Sequence, residues 1–129
     1  MPGLRSILVL EDNADLTGVL CTIFELEGLQ VACAADGAAA LAYLAEFAPP
    51  GLIVLDLRMP VCDGWAFRAA QLADPELAQI PVIVVTGVEP EERRTSELRA
   101  QHYLDKPVDL GTLLPLVRGY FVQDRKLVL

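Results

Sequence analysis

The chain has 129 residues, 53% of them of hydrophobic type, and a formal net charge of -8. That length suits one domain with a core that needs no crosslinks, and the negative field would repel a phosphate backbone, which argues against direct nucleic-acid binding. The cysteines Cys21, Cys33 and Cys62 are odd in number and form no Cys-x-x-Cys pair, so free thiols in a reducing compartment are expected, not a disulfide framework or a zinc site.

Met1 to Ser6 carries one Arg, and the apolar run after it is too short for a signal core. No stretch approaches a membrane span, and the cytoplasm is the expected location. Ile7-Leu8-Val9-Leu10 reads as a strand buried on both faces, ended by Glu11-Asp12-Asn13. Asn13 can cap a helix whose apolar face is Leu16, Val19, Leu20, Ile23 and Phe24, with Gly28 placed as its C-terminal cap. Leu29 to Ala34 is a second strand, and Ala38 to Phe47 a helix stopped by Pro49-Pro50. Leu52-Ile53-Val54-Leu55 is a third buried strand ending at Asp56, followed by a loop to Gly64 and a helix over Trp65 to Leu72. The fourth strand runs from Pro81 into Thr86-Gly87, and Glu91 to Ala100 is helix-prone with Pro90 in its first turn. His102 to Asp105 is a short fifth strand. A last helix either begins after Asp109 or starts at Thr112, which would put Pro115 in a first turn where it loses no bond. Five strand–helix alternations with short connections imply a parallel sheet with helices on both faces.

In such a sheet, ligands gather outside the carboxyl ends of the strands. Those ends carry Glu11 and Asp12, Asp56, Thr86, and Asp105 with Lys106. Clustered carboxylates repel one another unless a divalent cation joins them, and hard oxygen ligands favour magnesium, with manganese as a substitute. Lys106 can pair with Asp56 or with a phosphoryl group, Thr86 can donate a hydrogen bond to a phosphoryl oxygen, and Pro107 can fix the backbone that presents Lys106. Asp56 stands alone at the centre of the edge, so it is the best candidate for an attacking carboxylate that forms an aspartyl phosphate.

These segments resemble the response-regulator receivers of the CheY-like family. Leu52 to Gly64, with Asp56 and Met59-Pro60, resembles the family's phosphoacceptor segment; Glu11-Asp12 resembles its acidic pair, Thr86-Gly87 its switch residue, and Tyr103-Leu104-Asp105-Lys106-Pro107 its aromatic switch and Lys-Pro. The resemblance spans nearly the whole chain. It implies a flavodoxin-like, doubly wound sheet of five parallel strands in the order 2-1-3-4-5 with five helices, a single receiver domain over 1–129, and no output domain. It implies direct metal ligation by Asp12 and Asp56, a water-mediated role for Glu11, and a further ligand in the Arg58 backbone carbonyl. It also implies that phosphorylation draws Thr86 inward, turns Tyr103 toward the interior, and is read on the face of the fourth helix, fifth strand and fifth helix. The implied partners are a histidine kinase or histidine-phosphotransfer protein upstream and an unknown protein downstream. No catalysis is expected beyond the chain's own phosphorylation and dephosphorylation.

Each residue also has a plainer use. Tyr103 is as well suited to core packing as to switching, Trp65 to packing over the loop, Cys21 to packing, and Glu11 to a helix start. Asp63 and Asp105 read as turn or loop residues, and His102 as a surface or edge residue. The segment between Thr86 and Lys106 is shorter than the family's, Arg99 stands where a Gly often ends the fourth helix, and Pro90 and Pro115 disturb the output face. The apolar tail (Tyr120-Phe121-Val122 and Leu127-Val128-Leu129) packs on the domain or forms a homodimer contact. Two other classes compete. One is an interaction module that no longer uses phosphorylation. The other is a hydrolase on the same fold, against which stand Arg58, where a second acid would be expected, and the lack of a Gly-rich phosphate loop.

Overall fold

The computed structural model describes residues 5–121. Five strands, β1 (Ser6–Leu10), β2 (Gln30–Ala34), β3 (Leu52–Leu55), β4 (Val82–Thr86) and β5 (His102–Asp105), form one parallel sheet in the order β2-β1-β3-β4-β5. The helices are α1 (Ala14–Leu26), α2 (Gly37–Glu46), α3 (Gly64–Ala73), α4 (Thr95–Leu98) and α5 (Leu110–Gly119). This is the flavodoxin-like order expected from the resemblance.

Strand periodicity divides the core into two layers. Ile7, Val9, Leu52, Val54, Ile83 and Val85 point to the side covered by Leu20 and Phe24 of α1 and by Leu113 and Val117 of α5. Leu8, Leu10, Ile53, Leu55, Val82 and Val84 point to the other side, against Ala40 and Leu44 of α2, Phe67 of α3 and Leu98 of α4. Both faces are therefore dry over β1, β3 and β4, which is why these strands read as unbroken apolar runs. Asn13, Asp36, Asp63 and Asp109 cap α1, α2, α3 and α5, accepting from the N–H of Leu16, Ala39, Ala66 and Gly111. Each cap follows a strand's carboxyl end, so the sheet edge that holds the site is also ringed by helix starts. Gly28, at φ 84, ends α1 in the left-handed conformation that glycine adopts without penalty.

Two expectations are corrected. The helix read over Glu91 to Ala100 is a 3-10 turn at Pro90–Glu92 followed by a four-residue α4. Arg94 (φ 53) and Arg99 (φ 47) are both left-handed and stop the helix at either end. Side chains from α3 offset that cost. Arg68 donates from Nε to Leu98 O (2.7 Å) and from Nη2 to Arg99 O (2.9 Å), supplying donors to carbonyls that a continuing helix would have bonded. Its Nη1 bonds Gln71 Oε1 (2.7 Å), and Gln71 bonds Leu77 O and Ile80 O in turn. Arg68 and Gln71 are buried, and the apolar pattern of α3 gave no sign of either role.

The later start for α5 is also overturned. Asp109 caps a helix that begins at Leu110, so Pro115 lies inside it, where it cannot bond the carbonyl one turn back. Pro115 is exposed and gains no burial in compensation. Pro115→Ala is expected to stabilise the fold by about 1–3 kcal/mol, read as a higher urea midpoint at unchanged slope. Of the apolar tail, Phe121 packs into the α1–α5 layer; Val122 and Leu127 to Leu129 lie outside the described residues.

Candidate functional site

The carboxyl ends of β1 and β3 are neighbours, with Leu10 paired to Leu55. Their next residues, Glu11 and Asp56, are therefore side by side, and both are only 5% exposed. Asp12, one step further along the chain, is exposed. One carboxylate oxygen from each of Glu11, Asp12 and Asp56 lies within 4.8 Å of the others. Lys106 arrives from the end of β5, its backbone N–H bonded to Thr86 O (3.0 Å). Its Nζ bridges Glu11 Oε1 at 2.7 Å and Asp56 Oδ2 at 3.1 Å. The Lys106–Pro107 peptide bond is cis.

The remaining oxygens are also engaged. Asp56 Oδ1 accepts the N–H of Leu57 (2.7 Å), and Glu11 Oε2 accepts that of Asn13 (3.0 Å). Burial raises the proton affinity of Glu11, with Lys106 and the Asn13 N–H acting against it and the Asp56 charge adding to it. For Lys106, burial lowers the pKa, but the hydrogen bonds to Glu11 and Asp56 outweigh it and the net shift is upward. The ammonium therefore stays charged at neutral pH, facing two nearly buried acids. An edge that gathers three carboxylate oxygens and a single ammonium retains net negative charge, and its all-oxygen donor set fits a hard divalent cation.

Around this cluster, Thr86 is fully buried at the end of β4, and its Oγ1 accepts the N–H of Val88 (3.2 Å). Arg58 lies in the exposed loop two residues past Asp56, with its guanidinium 6.0 Å from the Trp65 ring. Trp65 bonds Arg93 O through Nε1 (2.7 Å) and carries the Arg94 guanidinium 4.4 Å over its ring, so it packs across the loop, as its plainer use suggests. Tyr103 packs into the α2–α3–α4 layer and ties its hydroxyl to the backbone of the α4 segment, accepting from Ala100 N at 3.0 Å. It thus packs in the core and also touches the face on which a switch would be read.

Sequence reasoning missed two contributors. Gly64 is one: a Cβ there would lie 2.4 Å from Asp56 O and 2.7 Å from Leu57 Cα, so the start of α3 rests directly on the peptide that carries Asp56. The fixed spacing from Asp56 to Asp63-Gly64 was visible, but not the close approach behind it. Arg93 is the other, a buried residue that donates to Val88 O (2.8 Å) and pairs with Asp105. Asp105 accordingly ends a strand and forms an ion pair; it is not a loop residue. Asp63 is the α3 cap. The cysteines are free, and partial desolvation followed by the neighbouring Cys21 pushes the thiol of exposed Cys33 up to about 12, which argues against thiolate chemistry there.

A five-stranded 2-1-3-4-5 sheet with an acid cluster and a lysine at its carboxyl edge defines a class of signalling domain, and comparison with known proteins agrees. Residues 7–118 match the family model described as the response regulator receiver domain, and the chain belongs to that family, the receivers of two-component systems. It is 34% identical over 115 residues to Protein PilH of Pseudomonas aeruginosa, covering 88% of this chain and 94% of that one. Other relatives are longer regulatory proteins, of which the chain spans 25% to 48%. Among solved structures, the signal receiver domain of a signal transduction histidine kinase from Syntrophus aciditrophicus superposes with a TM-score of 0.84 at 30% identity, covering 92% of this chain and 91% of that one. The Mn(2+)-bound form of response regulator Rcp1 superposes with a TM-score of 0.74 at 29% identity, covering 92% of each. No helix of the described residues is long and apolar enough to cross a membrane.

Proposed function

We propose that Asp56 is the phosphoacceptor of a magnesium-dependent switch. The carrying observation is the Lys106 ammonium held between Glu11 and Asp56 beside Asp12. Asp56 Oδ2 attacks the phosphorus of a phosphohistidine or acyl phosphate, the bond to the leaving group breaks, and an aspartyl phosphate forms. Lys106, already placed at that oxygen, offsets charge on the transferred group. Thr86 donates a hydrogen bond from its hydroxyl to a phosphoryl oxygen. Asp12 and Asp56 would hold the metal directly, with Glu11 through water and the Arg58 carbonyl as a further ligand. Magnesium, or manganese as in the Rcp1 structure, would neutralise phosphoryl oxygens when bound. Attack of water on the aspartyl phosphate resets the domain. The donor is a histidine kinase or a histidine-phosphotransfer protein. The output is a protein contact or onward phosphotransfer, with Tyr103 and the α4–β5–α5 face carrying the change.

Intact mass after incubation with acetyl phosphate and magnesium tests this. One phosphoryl adduct is expected on the wild type, and none on Asp56→Asn or after chelation of the metal. An unmodified wild type that is folded and also fails to bind a stable phosphoryl mimic would sink the proposal and leave a phosphorylation-independent interaction module.

A further inference from the structure

We propose that Arg93 is a positioning residue that holds the segment between β4 and α4 in its unphosphorylated arrangement, acting on Thr86 through Val88. The inference rests on the phosphorylation reading above and deepens it by assigning the element that resists the switch.

Three observations carry it. The guanidinium of Arg93 is buried, with Nε on Val88 O (2.8 Å) and Nη2 on Asp105. Val88 also engages Thr86 through the preceding amide, because its N–H donates to Thr86 Oγ1 (3.2 Å). The backbone carbonyl of Arg93 accepts Trp65 Nε1 (2.7 Å), which fixes the segment to the first turn of α3. Arg93 thus joins Val88, two residues after the switch hydroxyl, Asp105, the residue before Lys106, and the start of the helix that rests on Asp56.

Thr86 must move its oxygen toward Asp56 to reach a phosphoryl group. Val88 is buried, so Thr86 either abandons a buried N–H or drags Val88 away from Arg93. Both routes break a hydrogen bond that the resting arrangement holds, and a ligand shifts a two-state element only by its differential affinity. Removing the Arg93 guanidinium weakens the resting state alone, so a phosphoryl mimic should bind more tightly. An ordinary destabilising change would weaken binding instead.

The test is a titration with beryllofluoride, a phosphoryl mimic, in the presence of magnesium. Binding is read by fluorine NMR, and the emission of Trp65, the single tryptophan, reports the segment. Half-saturation in Arg93→Met is expected at about fivefold lower concentration than in wild type, the low end of measured couplings. Asp105→Asn, which leaves Arg93 on Val88, should shift it in the same direction by less and add nothing in the Arg93→Met background. Equal or weaker binding by a folded Arg93→Met, or additive effects of the two changes, overturns the clamp. If Arg93→Met does not fold, Asp105→Asn decides alone, and unchanged half-saturation overturns the proposal. A wild type that binds no beryllofluoride overturns the phosphorylation reading itself, and the clamp with it.

Discussion

Lys106→Met is expected to slow phosphorylation from acetyl phosphate by about 100-fold, the loss typical of removing one charge-stabilising donor from a reacting oxygen, while magnesium binds more tightly. The two effects have one origin. The Lys106 Nζ stands 2.7 Å from Glu11 and 3.1 Å from Asp56, so it competes electrostatically for the carboxylates that a cation would use. Without it those nearly buried acids lack their counter-charge, and a divalent ion gains what the ammonium gives up. A tightening by roughly tenfold corresponds to about 1.4 kcal/mol, a modest share of the interaction between unit charges at this range. Methionine keeps most of the length and the apolar stem of lysine, which limits the change to the ammonium, its charge and its two carboxylate contacts.

Magnesium titration of the metal-free protein and a time course of intact mass would check both arms. Opposite directions identify Lys106 as a charge that serves the transferred group at some cost to metal affinity. A parallel loss of metal binding and phosphorylation would mean that Lys106 chiefly holds the site's shape. An unchanged rate would remove it from the chemistry altogether.

The parts of this fold that could be read in the sequence are those set by local pattern. The runs Ile7 to Leu10, Leu52 to Leu55 and Val82 to Val85 are apolar because both faces of the sheet are covered, and polar residues begin where the strands reach the edge. Glu11, Asp56 and Lys106 meet because the strands are parallel and their ends share one edge, so topology alone was enough to foresee their meeting. The segment from Thr86 to Lys106 was not readable in this way. Its helix-prone composition suggested ten helical residues, but two left-handed arginines bracket only four. The compensation comes from Arg68 and Gln71 on a different helix, and the fastening at Arg93 depends on Asp105 and Trp65, far away in sequence. Charged side chains on a helical pattern read as solvated, and nothing local distinguishes those that turn inward to carbonyls. The start of α5 was left open between two positions for a related reason: Pro115 argues locally for the later one, but Asp109 caps the helix at Leu110 despite the bond that proline then forfeits.

Gly64→Ala is expected to destabilise the fold by about 3 kcal/mol, the upper end of the usual cost of forcing a methyl-sized group into packed space. The added Cβ would stand 2.4 Å from Asp56 O and 2.7 Å from Leu57 Cα. Both are backbone atoms, so no side-chain rotation relieves the clash. The Gly64 N–H also bonds Leu57 O (2.9 Å), and Asp63 caps the same turn, so α3 cannot withdraw without losing its start. The strain falls on the peptide that bears the Asp56 carboxylate, and phosphorylation should fall even in the fraction that remains folded. Gly18→Ala is the matching control. That glycine lies inside α1 with nothing within 4 Å of the added carbon, and alanine there should stabilise the helix by roughly 0.8–1 kcal/mol. Urea unfolding of the two variants should therefore move the midpoint in opposite directions. A Gly64→Ala midpoint within error of wild type would show that the α3 start can slide away from the phosphoacceptor loop. That sliding would in turn weaken the case that Trp65 and Arg93 are anchored to a rigid site.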